Sequence, residues 1–186
     1  MKTVIVINGR PRAGKDSTVL AMQQILKGAG IATSDFSSID PVRFMLQEAG
    51  IDLSAKTPED RALLAEVGFS LEKHSHWRSQ RCFRMIYGFF EDNSSRPAVM
   101  FLHVREPEII ARITDRVERR KWRMLTVLVK SIREENVISN AADLGVEGMK
   151  YHEVLENNGT LDDLAHACDK LLFKQQVIEQ LSLLHR

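Results

Sequence analysis

The 186-residue chain predicts one three-layer α/β domain, with helices covering both faces of a parallel five-stranded sheet. Three observations predict it. Short runs of β-branched and aliphatic residues recur along the chain, the pattern of strands buried on both faces. Segments with apolar residues at helical spacing separate these runs, which gives the alternation of a parallel sheet. The length, with 44% hydrophobic residues, suits one sizeable core.

Val4–Ile7 reads as the first strand, and Gly9, Pro11 and Gly14 break it. From Asp16 to Lys27, Val19, Met22, Ile25 and Leu26 recur at helical spacing, and Gly28 and Gly30 end that helix. A second strand is predicted at Ile31–Phe36. Asp40 is expected to cap the next helix, with Pro41 in its first turn. Thr57, answered by Asp60, reads as a capping box for a helix through Leu64, Val67 and Leu71. A further helix should cover Trp77 to Phe90. Strands are predicted at Ala98–Val104 and Met124–Val129, with a helix from Pro107 between them. Residues 137–150 show no period and read as a loop. Val154-Leu155 reads as the last strand, and Leu161 to about Leu184 as the last helix, its core side marked by Leu164, Cys168, Leu171, Leu172, Ile178 and Leu181. The expected organisation is a single domain over residues 1–186, with helical acceptor or lid insertions around 57–92 and 130–150.

The formal net charge is +1, so attraction to a polyanion must come from local patches. Cys82 and Cys168 lie far apart, without metal-ligand or redox spacing. His74, His76 and His103 match no metal motif. The N-terminal apolar run is too short for a signal peptide core, and no segment reaches membrane-span length, so no membrane association and a cytoplasmic location are the expectations.

The chemistry sits in Gly9-Arg10-Pro11-Arg12-Ala13-Gly14-Lys15-Asp16-Ser17. This fits G-x-x-x-x-G-K between a buried strand and an amphipathic helix, the context that a phosphate-binding loop demands. The glycines let successive backbone N–H groups turn toward phosphate oxygens, and the following helix adds its positive end. Lys15 is expected to reach the β- and γ-phosphates of ATP. The residue after the lysine is usually a hydroxyl that holds Mg²⁺. Here it is Asp16, so Asp16 or Ser17 is the candidate metal ligand. The fold implied is that of P-loop nucleoside-triphosphate hydrolases and kinases.

Gly-Lys-Asp-Ser resembles the Gly-Lys-Asp-Thr loop of phage-type deoxynucleoside monophosphate kinases and of animal phosphomevalonate kinase. Ser37-Ser38-Ile39-Asp40-Pro41-Val42-Arg43, Phe101-Leu102-His103-Val104-Arg105-Glu106-Pro107-Glu108 and Glu156-Asn157-Asn158-Gly159-Thr160-Leu161 resemble a group of small phage P-loop kinases. That group holds monophosphate kinases and enzymes that phosphorylate 5-hydroxymethyl-uracil in phage DNA. The resemblance implies ATP and Mg²⁺ as cofactors, an infected bacterial host as the setting, and phosphate or metal contacts by Gly14, Lys15, Asp16 and Ser17. A carboxylate at the expected Walker B position is missing. Glu106 or Asp35 stands in for it.

A monophosphate acceptor needs no strong base, whereas an alcohol benefits from a nearby carboxylate. Asp40 and Asp35, near the end of the second predicted strand, are the candidates. Arg78, Arg81 and Arg84, three residues apart with Trp77 and Phe83 among them, are candidates to bind the acceptor, together with Arg43. From Arg105 to Arg133, nine lysines and arginines stand against four acids; from Glu134 onward, four stand against ten. Arg133 is a candidate catalytic cation by analogy with the lid arginines of P-loop kinases. The leading expectation is transfer of the γ-phosphoryl of ATP to the hydroxyl of a hydroxymethylated pyrimidine in DNA. A deoxynucleoside monophosphate kinase and a nucleotide-binding regulatory domain without turnover are the alternatives. The partner is then a nucleotide or DNA acceptor, and a homodimer is left open.

Overall fold

A computed structural model describes residues 1–55, 57–132, 146 and 148–178. The sheet order is β2-β3-β1-β4-β5, every pair parallel. Its strands are β1 (Lys2–Asn8), β2 (Ala32–Ser37), β3 (Ala98–His103), β4 (Arg123–Lys130) and β5 (Glu153–Glu156). The helices are α1 (Lys15–Gly28), α2 (Asp40–Glu48), α3 (Pro58–Ser75), α4 (Trp77–Asp92), α5 (Pro107–Arg119) and α6 (Leu161–Lys174).

Successive residues of a strand face opposite sides, so the aliphatic run of β1 feeds two cores at once. Ile5 and Ile7 pack with Val19, Met22 and Leu26 of α1 and Leu164, Cys168 and Leu172 of α6. Val4 and Val6 pack on the other face with Ile86 and Phe90 of α4 and Ile109, Ile113 and Val117 of α5. A third, smaller cluster joins Val42 and Leu46 of α2 to Leu53 and to Leu64 of α3. It anchors the helical segment between β2 and β3 beside the carboxyl ends of the strands.

The capping box that starts α3 forms as the sequence predicts. Asp60 N–H donates to Thr57 Oγ1 at 3.1 Å, and Thr57 N–H donates to Asp60 Oδ2 at 2.8 Å. Thr57→Ala is expected to cost about 1 kcal/mol, read as a lower urea midpoint with unchanged slope.

Some boundaries differ from the sequence reading. Asp40 is not the cap of α2. Ile39 occupies that position without a side-chain cap, and Asp40 lies in the first turn, bonded to Arg43. The helix expected through Leu71 runs on to Ser75, and His76 joins α3 to α4 with φ 55°. The last helix stops at Lys174 rather than near Leu184, and Leu181 lies outside the described residues. Gln176 turns left-handed (φ 51°), and the N–H groups of Gln176 and Val177 return to the carbonyls of Phe173 and Leu172 at 2.8 and 2.9 Å. This Schellman stop usually carries glycine, as it does at Gly30 after α1 and Gly50 after α2. Most of the loop predicted at 137–150 lies outside the described residues.

Candidate active site

The turn from β1 into α1 forms the predicted phosphate-binding loop. Gly9 has φ +148°, and a Cβ there would come within 2.4 Å of the Val129 carbonyl oxygen. Gly14 caps α1 with φ +89°, and a Cβ there would meet Asn157 Nδ2 at 2.1 Å. Both positions therefore need glycine for space as well as for conformation. Gly14 carries no capping side chain, so the first turn of α1 presents its N–H groups openly. Lys15 Nζ donates to the carbonyls of Gly9 (2.9 Å) and Arg10 (2.8 Å), which holds the ammonium across the loop.

The loop opens into a cavity of about 680 Å³ at the carboxyl ends of β1, β2 and β3. One end is lined by Arg12, Lys15 and Asp16. The other is lined by Asp35 of β2, Asp40 and Arg43 of α2, Arg61 of α3 and Arg78 of α4, with His103, Arg105 and Glu106 after β3. Six cations thus face four carboxylates, a balance suited to a polyanionic guest.

Asp40 accepts from Arg43 Nη1 at 2.5 Å, and Asp35 accepts from Gln23 Nε2 at 3.2 Å. Arg78 is 4% exposed. Its Nη1 donates to Glu106 Oε1 at 2.6 Å, its Nη2 to Ser38 Oγ at 2.8 Å and its Nε to the Ser38 carbonyl at 3.4 Å. Glu106, considered above in place of the Walker B carboxylate, is therefore engaged in an ion pair. Beside this pair, buried Glu72 accepts from the N–H (3.0 Å) and hydroxyl (2.8 Å) of Ser79 and from Arg112 (3.0 Å), tying α3, α4 and α5 together.

The structure brings together Arg12, Lys15, Asp16, Asp35, Asp40, Arg43 and Arg78 from the predicted residues. Arg81 and Arg84 do not line the cavity and are exposed. Each three-residue step turns about 60° around a helix, so both point away from the face that carries Arg78. Ser17 is exposed on α1 and does not line the cavity either. Gly9, Arg10, Ala13 and Gly14 form the loop backbone behind it. Arg133 lies outside the described residues. Within the basic stretch from Arg105, Arg116 lies over Phe83 (5.5 Å to the centroid) and Arg120 over Tyr87 (4.6 Å), while Arg119 pairs with Asp115. Those aromatic faces are occupied by the chain's own cations.

Arg61, His103 and Arg105 also line the cavity, and no sequence motif marks them for it. His103 matches no metal motif, yet it closes β3 next to the loop-bearing strand. Burial pushes its imidazole below the ordinary value; Asp16, Asp35 and Asp40 oppose that shift and Lys15 reinforces it. Between the folded value and the ordinary one, the unfolded chain holds more protons, so stability rises with pH across that window. It is full above the ordinary histidine value and declines as pH falls through the mid-sixes. His103→Asn should therefore flatten the loss of urea midpoint between pH 7.5 and pH 5.5; parallel declines would refute this.

No protein-family profile matches the chain, and no curated protein does. Solved structures match across nearly the whole length. One is the APS kinase CysC of Mycobacterium tuberculosis in complex with AMPPNP and APS, at 14% identity, 92% of this chain, 97% of that chain and TM-score 0.50. Another is a protein designated APE1195, at 16% identity, 96% and 97% coverage and TM-score 0.54. A putative kinase from Chloroflexus aurantiacus matches at 11% identity, 93% and 97% coverage and TM-score 0.51. At such identities the likeness establishes the fold alone, a parallel α/β P-loop fold, which the strand order and the loop also describe.

Proposed function

We propose that this protein is an ATP-dependent kinase that transfers the γ-phosphoryl group to an acceptor at the nucleotide or nucleic-acid level. One observation carries the reading: the Lys15 loop and the acidic pair Asp35 and Asp40 open into the same cavity. The resemblance of its motifs to small phage kinases and the fold it shares with an APS kinase that holds AMPPNP support it.

The loop amides and Lys15 would bind the β- and γ-phosphates and stabilise charge on the moving group. Asp16 offers hard oxygen ligands at the phosphate end of the cavity, which fits magnesium. Among the described residues no three His, Cys, Asp or Glu side chains gather as a metal cage, so the ion would share Asp16 with the phosphates. Magnesium, when bound, neutralises charge on the phosphate oxygens. Asp40, fixed by Arg43, would orient the acceptor hydroxyl and take its hydrogen bond, and Asp35 could share that load.

The acceptor we favour is the hydroxymethyl group of 5-hydroxymethyl-uracil in phage DNA, because an alcohol uses the two carboxylates. Such a base must leave the helical stack to reach the cavity. The rival is a deoxynucleoside monophosphate. Arg43, Arg61 and Arg105 in the same cavity favour it, since they would suit an acceptor phosphate. Gamma-labelled ATP offered with nucleosides, monophosphates, plain DNA and hydroxymethylated DNA separates the two. Label in hydroxymethylated DNA alone supports the first, and diphosphate formation supports the second. Absence of label in every acceptor contradicts both.

A further inference from the structure

We infer that Asn157 is a positioning residue that holds the phosphate-binding loop in its anion-binding form. The inference rests on the kinase reading above and adds a residue to it from the opposite side of the loop. A loop that aims its N–H groups at a ligand must turn carbonyls outward, and each buried carbonyl then needs a donor of its own. Ala13 is fully buried. Its carbonyl accepts from Asn157 Nδ2 at 2.9 Å, across 144 residues of sequence.

Asn157 is itself fixed. Its N–H donates to the Lys130 carbonyl at 2.7 Å, and its carbonyl accepts from Ser131 Oγ at 2.8 Å. Its neighbour Asn158 accepts from Ile132 N–H at 2.8 Å through Oδ1. The amide that meets the loop is thus mounted on the ends of β4 and β5, at the edge of the sheet. The interlock is mutual, because the same Nδ2 occupies the space that a side chain at Gly14 would need. The amide at 157 supplies the donor, and glycine at 14 leaves it room.

If the donor is lost, Ala13 is left with an unpaired buried carbonyl, and the Ala13–Gly14 peptide can rotate to find another partner. That rotation would turn the Gly14 N–H away from the phosphate position. The expected effect falls on nucleotide affinity rather than on the acceptor. Asn157→Asp keeps the shape but cannot donate when ionised, and it sets a negative charge against a carbonyl beside an anion site. Asn157→Ala removes the donor without adding charge.

The test measures ATP·Mg²⁺ binding by titration calorimetry, and the Michaelis constants for ATP and acceptor, in wild type, Asn157→Asp, Asn157→Ala and Thr160→Ala. Thr160 caps α6 through Asp163 and does not touch the loop, so its loss reports on local stability alone. We expect a roughly tenfold or greater loss of ATP affinity in both Asn157 variants, larger for Asp, with the acceptor constant unchanged. Thr160→Ala should bind ATP as wild type does. Wild-type affinity in Asn157→Asp, or an equal loss in Thr160→Ala, overturns the inference and leaves the kinase reading standing. A wild-type protein that binds no ATP removes that reading, and the inference with it.

Discussion

Lys15→Met should lower phosphoryl transfer by about a hundredfold to a thousandfold while leaving the thermal midpoint within a few degrees of wild type. The side chain crosses the loop to the Gly9 and Arg10 carbonyls and lines the cavity beside Arg12 and Asp16. Its charge sits at the start of α1, where in the proposed reaction it would follow the γ-phosphoryl group as it moves. Methionine keeps the length and the apolar stem, so packing is nearly conserved and the loss is electrostatic. Initial rates with γ-labelled ATP give the number. A variant within threefold of wild type would place the transferring group elsewhere.

Arg78→Ala has the largest expected effect on stability. The guanidinium is buried, and its bonds to Glu106 and Ser38 join α4 to the loops that follow β3 and β2. Removing it strands the Glu106 carboxylate and the Ser38 hydroxyl, and breaking a buried pair costs about 3–5 kcal/mol. Glu106 keeps 29% of its side-chain surface exposed, so water recovers part of that loss and about 3 kcal/mol is the better expectation. For a chain of this size that is a fall in melting temperature of roughly 6–12 °C. Arg78→Lys should recover only a fraction, since an ammonium cannot span two partners as a planar fork does. Glu106→Gln should cost less than Arg78→Ala, because a neutral amide can still accept from Arg78. A melting curve for Arg78→Ala that overlays wild type would show the pair to be unimportant for the fold.

Arg78 also shows what the sequence could and could not say. Its place on a basic helix marked it as a site candidate, and it does line the cavity. Its partners were hidden, because Glu106 lies 28 residues away and Ser38 lies 40, distances that no local pattern encodes. Arg81 and Arg84 shared the same local signal, yet the helical turn carries them to solvent. The strands and the loop were legible because they depend on local rules: β-branched runs for buried strands, and glycines where the backbone must turn. Helix starts marked by Thr57 and Pro107 were legible for the same reason. The end of α6 was not, because its left-handed stop falls on Gln176, where glycine would have announced it. Lys121 closes α5 in the same way (φ 57°). His103 and Asn157 carry no motif of their own. They matter because the parallel sheet delivers the end of β3 and the turn after β5 to the two sides of one loop.

The most direct test of the account is titration of ATP with magnesium into the protein by calorimetry, repeated with Lys15→Met. The account predicts saturable one-to-one binding to wild type and clearly weaker binding to the variant. No heat with either adenine or guanine triphosphates, or equal affinity in both proteins, would contradict it.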